Sequence, residues 1–286
     1  MTQHMHDDHC GCHDHSHGHT HGHTPGETSL ATHLLLVSIG NTRIAIAPWI
    51  DNQRGTAKHF PVSSMDTAVA EMQAIWKAFP AQAKRTVLAG SVNPPALEAL
   101  RAGCREHEIT PLLVIGDDVE PPFAIDVDEP EKVGTDRLCA AAAAFDHMKC
   151  ACVVADFGTA VTIDLVGDDG AFLGGTILPG MALSARALHE HTAQLPLVEV
   201  GHPTETLGKN TVSAIRNGIF AMMAGALREI TERYATDIGK WPPLIVTGGD
   251  AEAIAGACDF VDRVVPDLGL EGLVLAYRRA FEPQET

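Results

Sequence analysis

Twice in this chain an apolar run enters a small polar turn and a second apolar run leaves it at once. In HLLLVSIGNTRIAIA the turn is Gly40, Asn41 and Thr42, and in VVADFGTAVTIDLV it is Gly158 and Thr159, just past Asp156. Short apolar runs bounded by such turns predict buried strands, here over about 33–37, 43–48, 151–156 and 160–166. Further strands are predicted near 59–62, 86–89, 112–115, 171–178 and 244–246. Between them the period lengthens. Met65, Val69, Met72, Ile75 and Trp76 share one helical face, Asn93-Pro94-Pro95 opens a second helix, and an Ala-rich helix runs from Thr135 to about residue 148. A long helix from Thr211 to about Tyr234 and a closing helix over 268–281 complete the pattern, with Gly248-Gly249 turning from a strand into a helix between them.

Strands alternating with helices make an α/β protein. The repeated strand-turn-strand device divides it into two halves, 31–148 and 149–286, with the site expected in the cleft between them. Residues 1–30 stand apart. They contain almost no apolar side chains, so they cannot offset the entropy of ordering and are expected to be disordered. Nine of the sixteen His residues lie there, from His4 to His23, beside Asp7, Asp8, Cys10 and Cys12. Neutral imidazoles and thiolates at that density can bind Zn, Ni or Cu ions, although a merely solvated extension is the plainer reading. With neither a basic start nor an apolar stretch, the segment does not read as a signal peptide.

Composition narrows the class. Hydrophobic residues at 45% and charged residues at 20% are ordinary for a soluble domain, and Gly, Asp or Pro breaks every apolar run within about ten residues, so no membrane span is expected. A formal charge of −17 disfavours binding to nucleic acid or to anionic membranes. Seven cysteines, two in the tail and five scattered through apolar contexts, read as reduced thiols in a cytoplasmic protein. Cys150 and Cys152 are too close in sequence for a zinc knuckle.

The two turns carry the candidate chemistry. Gly158 lets the backbone approach a ligand, Thr159 offers a hydroxyl and backbone N–H groups to phosphate oxygens, and Asp156 can hold a cation beside them. A plain hairpin is the ordinary alternative for each turn. Asp136, in VGTDR, lies just inside a predicted helix start, where the helix dipole is expected to lower its pKa; an Asp there is otherwise a helix cap, as is Thr211 in GKNT. No GxxxxGK[ST] loop is present.

Seven segments taken together (SIGNTR, EPEKVGTDR, DFGTAVTID, GGTILPG, TAQLP, GKNT and VTGGDA) resemble the type III pantothenate kinases, across roughly Thr32 to Phe281. These belong to the acetokinase, sugar kinase, Hsp70 and actin superfamily. The resemblance implies two ribonuclease-H-like, actin-like half-domains gripping ATP, with ATP-dependent phosphorylation of pantothenate as the activity. It implies Asp136 as catalytic base, with Gly134, Thr135, Asp136, Arg137, Val127 and Thr211 toward pantothenate. Ser38, Ile39, Gly40, Asn41, Thr42, Arg43, Ile44, Ala45 and Thr159 fall toward ATP and its magnesium. Asp156 matches a ligand for K+ or NH4+, and a homodimer is implied; the apolar face of the long helix after Thr211 (Ile215, Ile219, Met222 and Met223) could supply its contact, with intramolecular core as the ordinary alternative. The planar fork of Arg137 suits a carboxylate.

Two positions depart from the family pattern: Ser38 stands where an Asp is usual and Val127 where a Tyr is usual. A second reading is therefore a weak or inert relative that acts as a ligand sensor or regulatory interaction protein. A third makes the chain a metal-handling protein through its tail.

Overall fold

The computed structural model describes residues 32–282. The expectations for the His-rich tail fall outside them.

Strands β1 (Thr32–Ile39) and β2 (Arg43–Ile50) form the first hairpin, with Ile39 opposite Ile44 and Leu34 opposite Trp49. Strands β3 (Gln53–Arg54) and β4 (Lys58–Pro61) pair antiparallel with β2, while β5 (Lys84–Ser91) lies parallel to β1 and β6 (Leu112–Val114) parallel to β5. A second sheet repeats this plan. Strands β7 (Cys152–Phe157) and β8 (Ala160–Val166) form its hairpin, β9 (Phe172–Pro179) adds antiparallel, β10 (Leu244–Thr247) lies parallel to β7, and β11 (Arg263–Val264) parallel to β10. The orders β3-β2-β1-β5-β6 and β9-β8-β7-β10-β11 match strand for strand. The two-residue strands β3 and β11 are too short to leave a periodic signal.

Both faces of the central strands are buried, and alternate residues serve different layers. On β1, Leu35, Val37 and Ile39 pack against α1 (Met65–Ala78) and α2 (Pro94–Glu106), while Leu34 and Leu36 face α7 (Leu268–Phe281). On β7, Val153, Ala155 and Phe157 pack toward α4 (Met181–Glu190), α5 (Thr211–Ile238) and α6 (Ala251–Ala255), while Cys152 and Val154 face α3 (Thr135–Met148).

Packing departs from chain order at two helices. The sequence division at 148 leaves α3 with the first half, yet Leu138, Ala140, Ala141 and Ala144 pack on the second sheet. Helix α7 ends the chain, yet Leu270, Leu273 and Val274 pack on the first sheet. Small residues let the two helices cross closely. A Cβ added at Gly272 of α7 would stand 2.0 Å from the Cys139 carbonyl of α3.

The expected contact face on α5 is also revised. Ile215, Ile219 and Met223 lie in the core beneath the second sheet, and only Met222 faces outward. Their spacing is that of an inward stripe, which is what the second sheet requires of the helix covering it. Among the described residues, no helix is long and apolar enough to cross a membrane.

Candidate active site

The two hairpin turns face one another over a cleft of about 350 Å3. Gly40 N–H closes the first turn on the Arg43 carbonyl (2.9 Å) and Gly158 N–H closes the second on the Ala160 carbonyl (3.1 Å). The turns touch: the Thr42 and Thr159 hydroxyl oxygens are 2.7 Å apart. Ser38, Gly40, Asn41, Thr42, Arg43 and Ala45 line the cleft with Thr159, as do Asp136, Arg137 and Asp156. Ile39 and Ile44 do not, because alternation turns their side chains into the core behind the hairpin, where they are 1% and 0% exposed. Only their main chain can serve a ligand.

At the start of α3, Gly134 occupies the cap position, and a Cβ there would lie 2.6 Å from Asp136 Oδ1. The Thr135 hydroxyl donates to the Ser91 carbonyl (3.1 Å), tying the helix start to the end of β5. Asp136 Oδ1 accepts from the Arg137 N–H at 2.8 Å. The helix start was expected to lower the pKa of Asp136. Although Asp136 is exposed on the cleft side, the protein packed around its carboxyl lifts the pKa above the usual range against the pull of the Arg137 N–H and charge, opposite to the direction expected from the helix start.

Asp156, at the end of β7, is pushed up to about 6. Desolvation is the largest cause, Asp136, Asp164 and Asp267 add repulsion, and Arg43 opposes them. Gly248, at φ +95°, is what brings the turn after β10 so close, since a Cβ there would lie 2.4 Å from Asp156 Oδ1. Among the described residues, no three His, Cys, Asp or Glu side chains converge as a ready-made metal cage.

Arg137 is committed to a partner the strand pattern carried but the motif reading passed over. Its Nε donates to Asp164 Oδ1 and Oδ2 at 3.1 and 3.2 Å, its Nη2 also donates to Oδ1, and its guanidinium lies 5.3 Å from the centre of the Phe172 ring. Asp164 is 1% exposed. Burial lifts its pKa against the pull of Arg137. A lone Asp in the otherwise apolar strand AVTIDLV was the available signal, because buried carboxylates are paired.

Of the six expected substrate residues only Asp136 and Arg137 line the cleft; Gly134 and Thr135 shape the helix start behind them, and Val127 and Thr211 lie elsewhere. Val127 packs into the apolar cluster around α3 and Phe172. Thr211 is the first residue of α5 and exposed. Nor does Thr211 cap that helix. Asn210 does, accepting from Ser213 N–H at 2.9 Å while the Ser213 hydroxyl faces Asn210 N–H, a reciprocal box. Unforeseen on the cleft wall are His59 and the start of α7, where Asp267 Oδ1 meets His59 Nε2 at 2.6 Å.

Two matching sheets, each opening with a hairpin whose turn faces the other across an acidic cleft, define the actin-like and sugar kinase class of fold. A Campylobacter jejuni chain assigned to the Baf family of transcriptional activators superposes with a TM-score of 0.57 at 21% identity, covering 86% of this chain and 98% of its own. A Sinorhizobium meliloti chain assigned as a 2-dehydro-3-deoxygalactonokinase does so at 0.53 and 11% identity, covering 87% and 100%. Both are likenesses of fold. Residues 34–233 match the family model for type III pantothenate kinase, and the type III pantothenate kinase of Anaeromyxobacter sp. is 33% identical over 254 residues, 86% of this chain and 99% of that one. The chain belongs to the type III pantothenate kinase family.

Proposed function

We propose that this chain transfers the γ-phosphoryl group of ATP to the primary alcohol of pantothenate, giving 4'-phosphopantothenate and ADP at the start of coenzyme A synthesis. The observation that carries the reading is that Asp136 and Arg137 line the same cleft as both glycine turns. The turns present hydroxyls and N–H groups to the phosphates from opposite sides. Asp136 accepts the alcohol proton as the alcohol oxygen bonds to γ-phosphorus and the bond to the ADP oxygen breaks, and its raised pKa makes it the better base. Arg137 and Arg43 are the Lys or Arg side chains on the cleft wall, Arg43 on the phosphate turn and Arg137 next to the base. That leaves Arg137 for the pantothenate carboxylate.

A divalent ion bound with ATP would neutralise charge on the phosphates. The donor set fits one held mainly by phosphate and water, with hydroxyls and single carboxylates nearby rather than a protein cage. Asp156, buried among other acids, is suited to K+ or NH4+. The halves of the molecule are 31–148 and 149–286, with α3 and α7 exchanged in packing. A homodimer goes with the family resemblance, and exposed apolar side chains such as Ile177, Leu197 and Leu207 are available to a partner. The reaction belongs in the cytoplasm, and the imidazoles and thiols of the His-rich tail are suited to Zn, Ni or Cu ions. Ser38 favours the second reading, an inert sensor, because it puts one hydroxyl where a carboxylate would serve the metal.

A coupled assay of ADP release with ATP, magnesium and pantothenate tests the function. Turnover is expected, and Asp136→Asn is expected to fall below about a tenth of it with nucleotide binding retained. Wild-type protein that releases no ADP on adding pantothenate, with and without K+, would sink the reading.

A further inference from the structure

We infer that Asp164 is a positioning residue for substrate recognition: by gripping one edge of the Arg137 guanidinium from within the second sheet, it turns the opposite edge toward the cleft to receive a carboxylate. The inference rests on the function proposed above and adds a residue to it. Guanidinium offers two edges for bidentate pairing. The Nε and Nη2 edge is spent on Asp164, so an incoming carboxylate meets the edge that carries Nη1.

The surroundings of Asp164 are built to hold it still. Directly opposite it on β9 is Gly175, where a Cβ would fall 2.0 Å from Asp164 Oδ1, so the neighbouring strand has no side chain where the carboxylate lies. The residue before it and the residue after Gly175 are braced from α5: the Tyr234 hydroxyl donates to the Ile163 carbonyl at 3.1 Å and lies 2.9 Å from the Thr176 hydroxyl. The Phe172 ring lies 5.3 Å from the Arg137 guanidinium, and the Arg137 side chain stays 15% exposed while that of Asp164 is 2%. An Arg on a surface helix would sample many rotamers. This one is held along one edge by Asp164 with an aromatic ring beside it, so little freedom remains to be lost when an anion binds.

A structural salt bridge would predict only lost stability on its removal. A positioning role predicts a selective loss, carried wholly through Arg137. The test compares wild type, Asp164→Asn, Arg137→Ala and the double variant by calorimetric titration with pantothenate and with pantothenol, the neutral analogue in which an alcohol replaces the carboxylate, and by steady-state kinetics. Asn keeps the shape of Asp164 but presents an N–H to the Arg137 donors, releasing the guanidinium. Asp164→Asn is expected to weaken pantothenate at least about tenfold and raise its KM alike, with kcat and the ATP KM changed far less. The preference for pantothenate over pantothenol should shrink by the same factor, and in the Arg137→Ala background Asp164→Asn should cost nothing more. Pantothenate binding and selectivity equal to wild type would overturn the inference, as would a further loss in the double variant. Should Asp164→Asn alone not fold, the double variant against Arg137→Ala decides. Wild type that binds no pantothenate would instead sink the function on which the inference rests.

Discussion

At the cleft the sign of a single charge decides much. Asp156 has a folded pKa of about 6 against an ordinary 3.8, so the folded state binds its proton more tightly than the unfolded chain does. Stability contributed by this group therefore falls as pH rises between those values, and the penalty is fully present above about 6. A cation bound at the carboxylate would relieve it. KCl is expected to raise the melting temperature at pH 8 beyond what tetramethylammonium chloride does at equal ionic strength, and to do so little at pH 5. Equal effects of the two salts, or equal effects at the two pH values, would remove Asp156 as a cation ligand. Ser38 is the complementary case. If its hydroxyl is a poor substitute for a carboxylate near the phosphates, Ser38→Asp should raise kcat/KM for Mg-ATP several-fold and leave the pantothenate KM unchanged; a slower variant would mean another group already serves the metal.

Elements of clear period were legible in the sequence. The strands flanking the two glycine turns, the helix opened by Asn93-Pro94-Pro95, and the helix α1 all follow from local spacing, and the structure has them. What was not legible depends on contacts far along the chain. No local pattern says that Ile215 and Met223 point into the core while Met222 points out, because an apolar stripe reads alike for a core and an interface. The site divides the same way: Gly40, Asp136 and Thr159 could be read from motifs, but the Asp164 partner of Arg137 and the arrival of Asp267 on the cleft wall come from strand register and from the return of α7. The cap of α5 was misread by one residue, and its correction is testable. Asn210→Ala leaves Ser213 N–H unsatisfied and is expected to cost about 1 kcal/mol in denaturant unfolding, whereas Thr211→Ala should cost much less. A reversed order would restore Thr211 as the cap.

Among the described residues Ile177, Leu197 and Leu207 are exposed at 63%, 61% and 72%, apolar surface that a partner subunit would cover. A dimer is expected by light scattering at micromolar concentration, and Leu207→Lys should shift it toward monomer. A monomeric wild type would end that expectation. The crossing of α3 and α7 bears on the cleft itself. Asp136 and Arg137 ride on the helix packed on one sheet, the start of the helix packed on the other also lines the cleft, and within their side-chain contact the bare Gly272 Cα lies against the Cys139 carbonyl. Any side chain at position 272 would be a wedge driven against the Cys139 carbonyl, and would have to push apart the two helices that carry cleft residues.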